Sequence, residues 1–431
     1  MKRQAISVLG VVVLVFVQCA DASERPRDAN SLVELEDYLT FAALNNAGLK
    51  AAFEQWQIAV AQVPQAKSLP DPTFTYGYFI EEVETRVGPQ RQKLEIMQMF
   101  PWFGELEART DAAAAAAKAA RKRYEAAKLK LFFEVKEAFY EYTYLARALE
   151  IAAENLELTR HFEEVARTKY MAAAAGHPDV IRAQVELAKQ EDQLTALEEL
   201  RKPIVARLNA VLNRRSLDML PWPAKEEFRT VEVSREEMIE LLKARNPELE
   251  ALDFELEAAK STVEVTKKKF WPDIGVGVSW IDTGGAVGPA VRGSGNDPIA
   301  LMLTMNLPIW REGYKAAELQ AKANVRKTSQ QKTQAENSIV SAAERTLYDF
   351  QDSHRKIRLY RDVLMPKAEE LLGASEMAYR AGTIDFLSLT DAQRMLLRYQ
   401  LYYERAVADN AQKLAELEML AGTQLPAPPG Q

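Results

Sequence analysis

The stretch Tyr379–Ala392 reads YRAGTIDFLSLTDA and predicts the tip of a helical hairpin. Gly382 interrupts a long helical pattern, and helix-forming residues resume toward Asp391. Glycine tolerates the left-handed backbone that ends one helix and reverses the chain. A related stretch, Tyr170–Ala183, reads YMAAAAGHPDVIRA and lies 209 residues earlier. Both stretches continue into Ala-Gln, so the sequence predicts an internal duplication.

The composition argues against several classes of function. The 431 residues carry a net charge of −7 and a pI near 5.4, which gives no basic surface for nucleic acid. No nucleophile or acid–base constellation is visible, so the chain is predicted not to be an enzyme. No cofactor or metal site is predicted, because the histidines lack the spacing of metal ligands: they are His161, His177 and His354.

The N-terminus has the pattern of an export signal. Residues 1–22 combine a basic start, a short apolar core and a small-x-small sequence that ends at Ala22. Cys19, the only cysteine, leaves lipidation open as an alternative, but the bulky Gln18 before it favours ordinary cleavage. No later run of about 18 apolar residues is present, so no membrane-spanning helix is predicted.

The rest of the chain is predicted to form two repeats, each with a helix, a strand hairpin, a long helix, a tip and a return helix. The first repeat covers residues 23–220 and the second covers 234–425, with a linker at 221–233 and a disordered tail at 426–431. A helix of about 65 residues is about 100 Å long. No compact globular domain accommodates such a helix, and Pro366 predicts a kink in the second one.

Four segments alternate with a period of two and are predicted to be strands, at residues 73–80, 94–100, 274–281 and 301–307. One face of these segments is aliphatic and aromatic, and the other is rich in Gly, Thr, Ser and Asn. Four strands cannot close into a barrel, and open edges are not tolerated in lipid, so several chains are expected to share one barrel. The alternative is a small soluble sheet that caps a helical rod.

Two sets of side chains in this region are candidates for a role. Three tryptophans near strand ends are predicted to lie at the membrane interface: Trp102, Trp280 and Trp310. Four methionines in the strands carry thioethers, which are soft metal ligands, although a packing role is favoured for them: Met97, Met99, Met302 and Met305.

The duplicated plan resembles the TolC-like outer-membrane efflux protein family. The resemblance rests on YRAG…DAQ at Tyr379–Gln393, DVIRAQ at Asp179–Gln184, NPEL at Asn246–Leu249, PDIGVG at Pro272–Gly277 and FPWFG at Phe100–Gly104. It covers nearly the whole mature chain, and the duplicated order is more specific than any single motif. It implies a mainly α chain of long antiparallel helical hairpins and four β-strands, which contributes to a trimeric twelve-stranded barrel and a helical periplasmic tunnel.

The resemblance also implies a function and a set of partners. The protein would be the outer-membrane channel of a tripartite efflux or secretion system, a passive conduit whose inner end opens like an iris. Its partners would be two further copies in a homotrimer, a periplasmic adaptor protein, an inner-membrane efflux pump of the RND type and outer-membrane lipid. A periplasmic coiled-coil scaffold or adaptor without a channel is the alternative.

The resemblance places particular residues at the two tips. It implies a gate or constriction at Asp391, Ser388 and Asp179, with Ser388 standing where some members carry an aspartate. It implies tip turns and adaptor contacts at Tyr379, Gly382, Tyr170 and Gly176. Ala173 stands at the position of the turn glycine in the first tip, which leaves the geometry of that tip open.

Overall fold

The computed structural model is mainly helical with four antiparallel strands, which confirms the fold class predicted for the chain. The residues that it describes are 32–224, 231, 234–288 and 291–425. The predicted signal peptide with Cys19, the predicted tail and most of the predicted linker lie outside the described residues. The boundaries of the two repeats stay a prediction.

The first half contains four helices and two strands in the predicted order. They are α1 (Leu35–Asn45), α2 (Ala47–Lys67), β1 (Thr73–Thr85), β2 (Gly88–Phe100), α3 (Glu105–Met171) and α4 (His177–Val211). α3 has 67 residues and is therefore about 100 Å long. α4 returns beside α3 and continues through Pro203.

The second half repeats this order with one irregularity. Its elements are α5 (Arg235–Arg245), α6 (Pro247–Lys268), β3 (Ile274–Thr283), β4 (Ile299–Met305), α7 (Arg311–Leu359), α8 (Met365–Ala381) and α9 (Phe386–Ala421). A π-helical turn at Tyr360–Leu364 joins α7 to α8, where a kink was predicted. Pro366 lacks an amide hydrogen and its ring crowds the carbonyl four residues earlier, so the wider turn accommodates it.

The duplication extends to tertiary hydrogen bonds. The Asn46 side chain caps α2 and donates through Nδ2 to the Val211 carbonyl at 2.9 Å. Asn246 caps α6 in the same way and donates to the Leu420 carbonyl at 2.8 Å. Leu420 follows Val211 by 209 residues, the same interval that separates the two tips. Each half therefore ties its helix break to the end of its return helix.

Three hydrophobic cores hold the helices together. The first half packs around Phe139, Tyr142 and Leu208, and the second half has a separate core that includes Met238 and Leu417. A third core lies at the tips and joins the two halves. Within the described residues, no helix is long and apolar enough to cross a membrane.

The four strands form one antiparallel sheet in the order β1-β2-β3-β4. The two strands extend beyond the predicted ends at residues 80 and 94, since β1 and β2 are paired down to a short turn at residues 86–87. Charged side chains are tolerated there because that end of the hairpin is largely exposed. β4 ends at Met305 rather than Leu307, and the next residue, Asn306, accepts a hydrogen bond from the Asp273 amide through its side chain.

The register separates the two faces of the sheet. On one face, Phe74, Ile96, Val278 and Leu301 are neighbours across the four strands, and all are exposed. The next row of the same face is Tyr76, Leu94, Trp280 and Ile299. On the opposite face, the corresponding row is Thr73, Met97, Gly277 and Met302. We name these the apolar face and the inner face; the division matches the predicted alternation.

The outer edges of the sheet are open. In the described part of the chain, β1 pairs only with β2, and β4 pairs only with β3. The apolar face is covered by no other element, because its large side chains remain exposed. A sheet with these two properties is incomplete as a water-soluble unit.

Gly422 provides a test of the fold. It ends α9 with a φ of 72°, and a Cβ at this position would overlap the Arg245 carbonyl. We expect Gly422→Ala to destabilise the protein by about 2 kcal/mol or more, through strain and backbone displacement. The measurement is the thermal unfolding of the protein in detergent.

Gly373→Ala is the matched control for this prediction. Gly373 lies inside α8, and a Cβ there would meet no atom within 4 Å. Alanine should stabilise that helix by up to about 1 kcal/mol. Equal effects of the two substitutions would contradict the packing of α9 against the break between α5 and α6.

Candidate gate at the helical tips

Both hairpins turn with the same backbone hydrogen bonds. In the second tip, the Gly382 amide donates to the Tyr379 carbonyl at 3.0 Å, and the Thr383 amide donates to the Ala378 carbonyl at 3.0 Å. In the first tip, the Ala173 and Ala174 amides make the corresponding bonds at 3.0 and 2.8 Å. This is the Schellman pattern, in which a left-handed residue ends a helix.

The left-handed residue differs between the tips. Gly382 has a φ of 78°, whereas Ala173 occupies the equivalent position with a φ of 57°. An L-residue with a Cβ is strained in this region by about 1–2 kcal/mol. Gly176, the glycine predicted for the first tip, instead lies at the start of α4 with an extended backbone. The first turn is therefore closed by a strained alanine.

The two tips share one core. Phe162 and Ala183 from the first hairpin pack with Phe386, Leu389 and Tyr379 from the second. Lys169 fastens the tips as well: its ammonium donates to the Tyr379 carbonyl and lies 4.5 Å from the centre of the Tyr379 ring. The second tip therefore rests on the end of α3.

Tyr379 lies in this core and is only 2% exposed. Burial, reinforced by the negative charge of Asp179, raises the pKa of Tyr379 to about 12. Tyr170 is exposed at the first tip and contacts His177. The adaptor contact stays a prediction for Tyr379, Gly382, Tyr170 and Gly176.

The predicted gate residues have different surroundings. Asp391 is the exposed one, with 62% of its side chain accessible, and lies 3.5 Å from Arg394 Nη1. Ser388 donates through its hydroxyl to Asp385 Oδ1 at 2.7 Å, and its amide donates to the same oxygen. Asp385 therefore caps α9, and the Ser388 bonds hold its pKa below the usual value.

Asp179 lies mostly buried in the first turn of α4, 3.8 Å from Arg182 Nη1. The negative charge of Asp179 contributes to the raised pKa of Tyr379. In the described structure, Asp179 makes no contact with Asp391. The structure thus leaves Asp391 as the carboxylate that faces solvent among the three predicted gate residues.

A half-buried ion pair joins the two hairpins next to Asp391. The Arg394 guanidinium donates through Nε to Glu186 Oε1 at 3.0 Å and contacts the second carboxylate oxygen through Nη2. The Glu186 side chain is only 5% exposed, whereas that of Arg394 is 39% exposed. The Arg394 bond holds the pKa of Glu186 below its ordinary value. α4 and α9 are therefore connected by a charge-assisted bidentate contact.

Gln393 forms a second link between the hairpins. Its Nε2 donates to Thr159 Oγ1 at 2.6 Å and to Asn155 Oδ1 at 3.1 Å, and all three side chains are buried. The duplicate of Gln393 is Gln184, which is exposed on α4. The two Ala-Gln motifs thus have different environments within one chain.

The predicted interfacial tryptophans lie at the expected ends of the strands. Trp102 follows β2 and stacks on Trp271 with ring centres 5.2 Å apart, and its amide donates to Asp273 Oδ1 at 3.2 Å. Trp310 precedes α7 and is exposed. Trp280 lies on the apolar face, about 20 Å from Ile274 at the other end of that strand face. Their contact with a membrane stays a prediction.

Several site residues carry no signal that a single sequence reveals. Glu186 and Arg394 are 208 positions apart, and each reads as an ordinary charge on a helix surface. Trp271 lies three residues after α6 and stacks on Trp102, a contact that its sequence position does not indicate. Lys169 carries no such signal either, because its partner is a backbone carbonyl of the other hairpin.

Comparisons with known proteins agree with this geometry. The family model described as outer membrane efflux protein matches residues 40–214 and 238–423. Nodulation protein T of Rhizobium leguminosarum bv. trifolii is 24% identical over 404 residues, which cover 90% of this chain and 85% of the relative. The cobalt-zinc-cadmium resistance protein CzcC of Cupriavidus metallidurans is 20% identical, with 92% of both chains covered.

A solved structure shows the same fold. The outer-membrane channel OprN superimposes with a TM-score of 0.75 at 17% identity, over 90% of this chain and 89% of that one. The long hairpins and the four-stranded sheet are thus shared with that channel.

The two turns give a reciprocal prediction. Ala173→Gly should relieve the left-handed strain and stabilise the first tip by about 1 kcal/mol, net of the greater flexibility of glycine in the unfolded chain. Gly382→Ala should destabilise the second tip by a similar amount, since its Cβ would meet no atom within 4 Å and strain is the only cost. Amide hydrogen exchange at the tips measures both local opening free energies, and changes of the same sign would contradict the assignment.

The Glu186–Arg394 pair predicts a dependence on pH. Because the pKa of Glu186 is lowered in the folded chain, its contribution to stability is complete above the unfolded value of about 4.3 and declines as the pH falls through the folded value. Glu186→Gln should therefore increase opening of the α4–α9 contact at pH 7, by about 1 kcal/mol after allowance for the exposure of Arg394.

The difference between Glu186→Gln and the unmodified protein should vanish at strongly acidic pH, as measured by hydrogen exchange of α4 and α9. Glu199→Gln is the matched control, since Glu199 pairs with Lys202 on the same helix but both side chains are exposed. A pH-independent difference for Glu186→Gln would show that the ionised pair does not hold the hairpins together.

Proposed function

Because this chain belongs to the outer membrane efflux protein family, we propose that three copies assemble into a gated conduit that crosses the outer membrane and the periplasm. The match to the family model confirms the predicted family and the predicted outer-membrane location. Proteins of this family are efflux channels, and this protein is therefore not an enzyme. We propose the number of copies, the gate and the partners.

The main support comes from surfaces that are covered in one half and open in the other. On α9, Thr390 is 4% exposed, and the face that it shares with Gln393 lies against α3. The corresponding face of α4 includes Ile181, which is 45% exposed, together with Gln184. The two helices are duplicates. The exposed face of α4 therefore corresponds to the face of α9 that packs against α3, but no helix packs on it.

α8 is the duplicate of the end of α3, and it also has an uncovered face. Phe162 of α3 is 1% exposed in the tip core, whereas its duplicate on α8, Leu371, is 43% exposed. If α8 of one copy covers α4 of the next, every hairpin has two neighbours and the helices close into a ring. The open edges of β1 and β4 would be paired by the same arrangement, which satisfies their backbone groups in lipid.

Such a ring suits a passive conduit. Three copies of Asp391 around one axis would concentrate negative potential at the inner end, which favours cations and can bind a blocking divalent ion. The Glu186–Arg394 and Gln393 contacts would hold that end closed, since they fix the second hairpin to the first within each copy. A periplasmic adaptor and an inner-membrane pump would then supply substrate and drive opening.

The alternative function, a periplasmic scaffold without a channel, fits the sheet poorly. A water-soluble scaffold would leave the apolar face and both sheet edges in water, where they favour aggregation. The name of CzcC refers to resistance to cobalt, zinc and cadmium, and metal ions are accordingly one class of cargo that we propose to test.

Assembly can be tested at Leu371. The purified protein is expected to form trimers in detergent, and Leu371→Glu should dissociate them because it places a charge against the neighbouring α4. Glu370→Gln is the matched control on the same helix, where the Glu370–Lys367 pair is exposed and should not contribute. Sedimentation in detergent measures the outcome, and a monomer that stays soluble without detergent would contradict the proposal.

The gate can be tested by conductance in planar bilayers. The protein should conduct a cation-selective current, and Asp391→Ala should weaken block by Ca²⁺ on the order of tenfold, since it removes one carboxylate from each copy. Glu257→Gln, a substitution of an exposed residue on α6 far from the tips, should leave the block unchanged. Equal block in all three proteins would remove Asp391 from the gate.

A further inference from the structure

Three methionines gather on the inner face of the sheet. Met97 on β2 and Met302 on β4 are both register partners of Gly277, so they flank a residue without a side chain. Met99 is the register partner of Gly275 on the same face. Met305 is different, because it pairs with Ile274 on the apolar face.

The glycines allow the thioethers to approach one another. A Cβ on Gly275 would lie 2.6 Å from Met99 Sδ and 3.5 Å from Met97 Sδ, so both sulfur atoms lean over this glycine and lie within about 6 Å of each other. A Cβ on Gly277 would lie 3.3 Å from the Met97 methyl group. The Met97 and Met99 side chains therefore occupy the space above the glycines, and Met302 is the register partner of Gly277 on the adjacent strand β4.

The chemistry of this cluster is specific. Thioether sulfur is neutral, polarizable and soft, and it selects Cu(I) and related cations over hard divalent ions. Among the described residues, no group of three or more His, Cys, Asp or Glu side chains could hold a metal ion. The three methionines on the inner face therefore offer thioether sulfur as their only ligand atom.

The three methionines are accessible from the inner face of the sheet. Met97, Met99 and Met302 are each partly exposed. Lys93 and Glu95 lie further along β2 on this face and form an ion pair of 2.7 Å. The positive charge of Lys93 is therefore compensated.

We propose that Met97, Met99 and Met302 form a binding site for a soft monovalent cation, Cu(I) or Ag(I). The three sulfur atoms bind the ion above Gly275 and Gly277, and rotation about the flexible methionine side chains brings them together. The position of the site on the wall of a conduit rests on the proposed function; the binding itself does not. In a trimer, each copy carries one such site.

The test uses Ag⁺ alone, titrated in chloride-free buffer into the purified protein in detergent. The protein should bind one Ag⁺ per chain, and X-ray absorption should show a shell of sulfur ligands. The triple variant Met97→Leu, Met99→Leu and Met302→Leu keeps the apolar volume and should lose affinity about a hundredfold. Met305→Leu is the matched control, since its side chain lies on the apolar face, and should bind as the unmodified protein does.

Single variants test the site even if the triple variant fails to fold. Met99→Leu and Met302→Leu should each weaken Ag⁺ binding about tenfold, and they remove only one sulfur atom each. Unchanged binding in the triple variant, or binding that is lost equally in Met305→Leu, would overturn the site. Packing alone predicts that all the leucine variants bind Ag⁺ as the unmodified protein does.

Conductance separates this proposal from the previous one. A triple variant that conducts normally but binds no Ag⁺ supports both the channel and the site. A protein that conducts but never binds Ag⁺ refutes the site and leaves the channel. A protein that binds Ag⁺ through these sulfur atoms without any conductance refutes the channel and leaves the site.

Discussion

The need to pair every backbone amide and carbonyl in the membrane is the constraint on which this structure depends. Hydrocarbon offers no hydrogen-bond partner, so a spanning sheet cannot keep a free edge. The chain supplies only four strands, with β1 and β4 unpaired on their outer sides in the described residues. The exposed apolar face suits a lipid environment, and the open edges support the proposed assembly of several copies.

The helices meet the same requirement by another route. Duplication produced two hairpins with equivalent turns and equivalent asparagine links, yet one chain covers only half of the equivalent surfaces. Gln393 is buried against α3 while Gln184 is exposed, and Phe162 is buried while Leu371 is exposed. The uncovered helix faces and the open edges of the sheet both support the proposed ring of copies.

The sequence predicted what local pattern controls. Glycine at 382, the alternation of 274–281 and the proline at 366 each act through backbone conformation or periodicity, and the structure has a turn, a strand and a π turn at these places. The strands predicted at 73–80 and 94–100 extend into the charged residues 81–92, where the alternation that marks a strand is lost. The Glu186–Arg394 pair and the Trp102–Trp271 stack depend on contacts between distant segments, which periodicity does not report.

Cross-linking of neighbouring strand edges tests the central claim most directly. Thr75 on β1 and Thr304 on β4 lie on the inner face at opposite edges, and the only native cysteine lies within the predicted signal peptide. A chain with Thr75→Cys and Thr304→Cys, treated in outer membranes with a flexible bis-maleimide, should give covalent dimers and trimers and no larger species. Chains that react only as monomers, or only within one copy, would show that the sheet is not completed by its own copies.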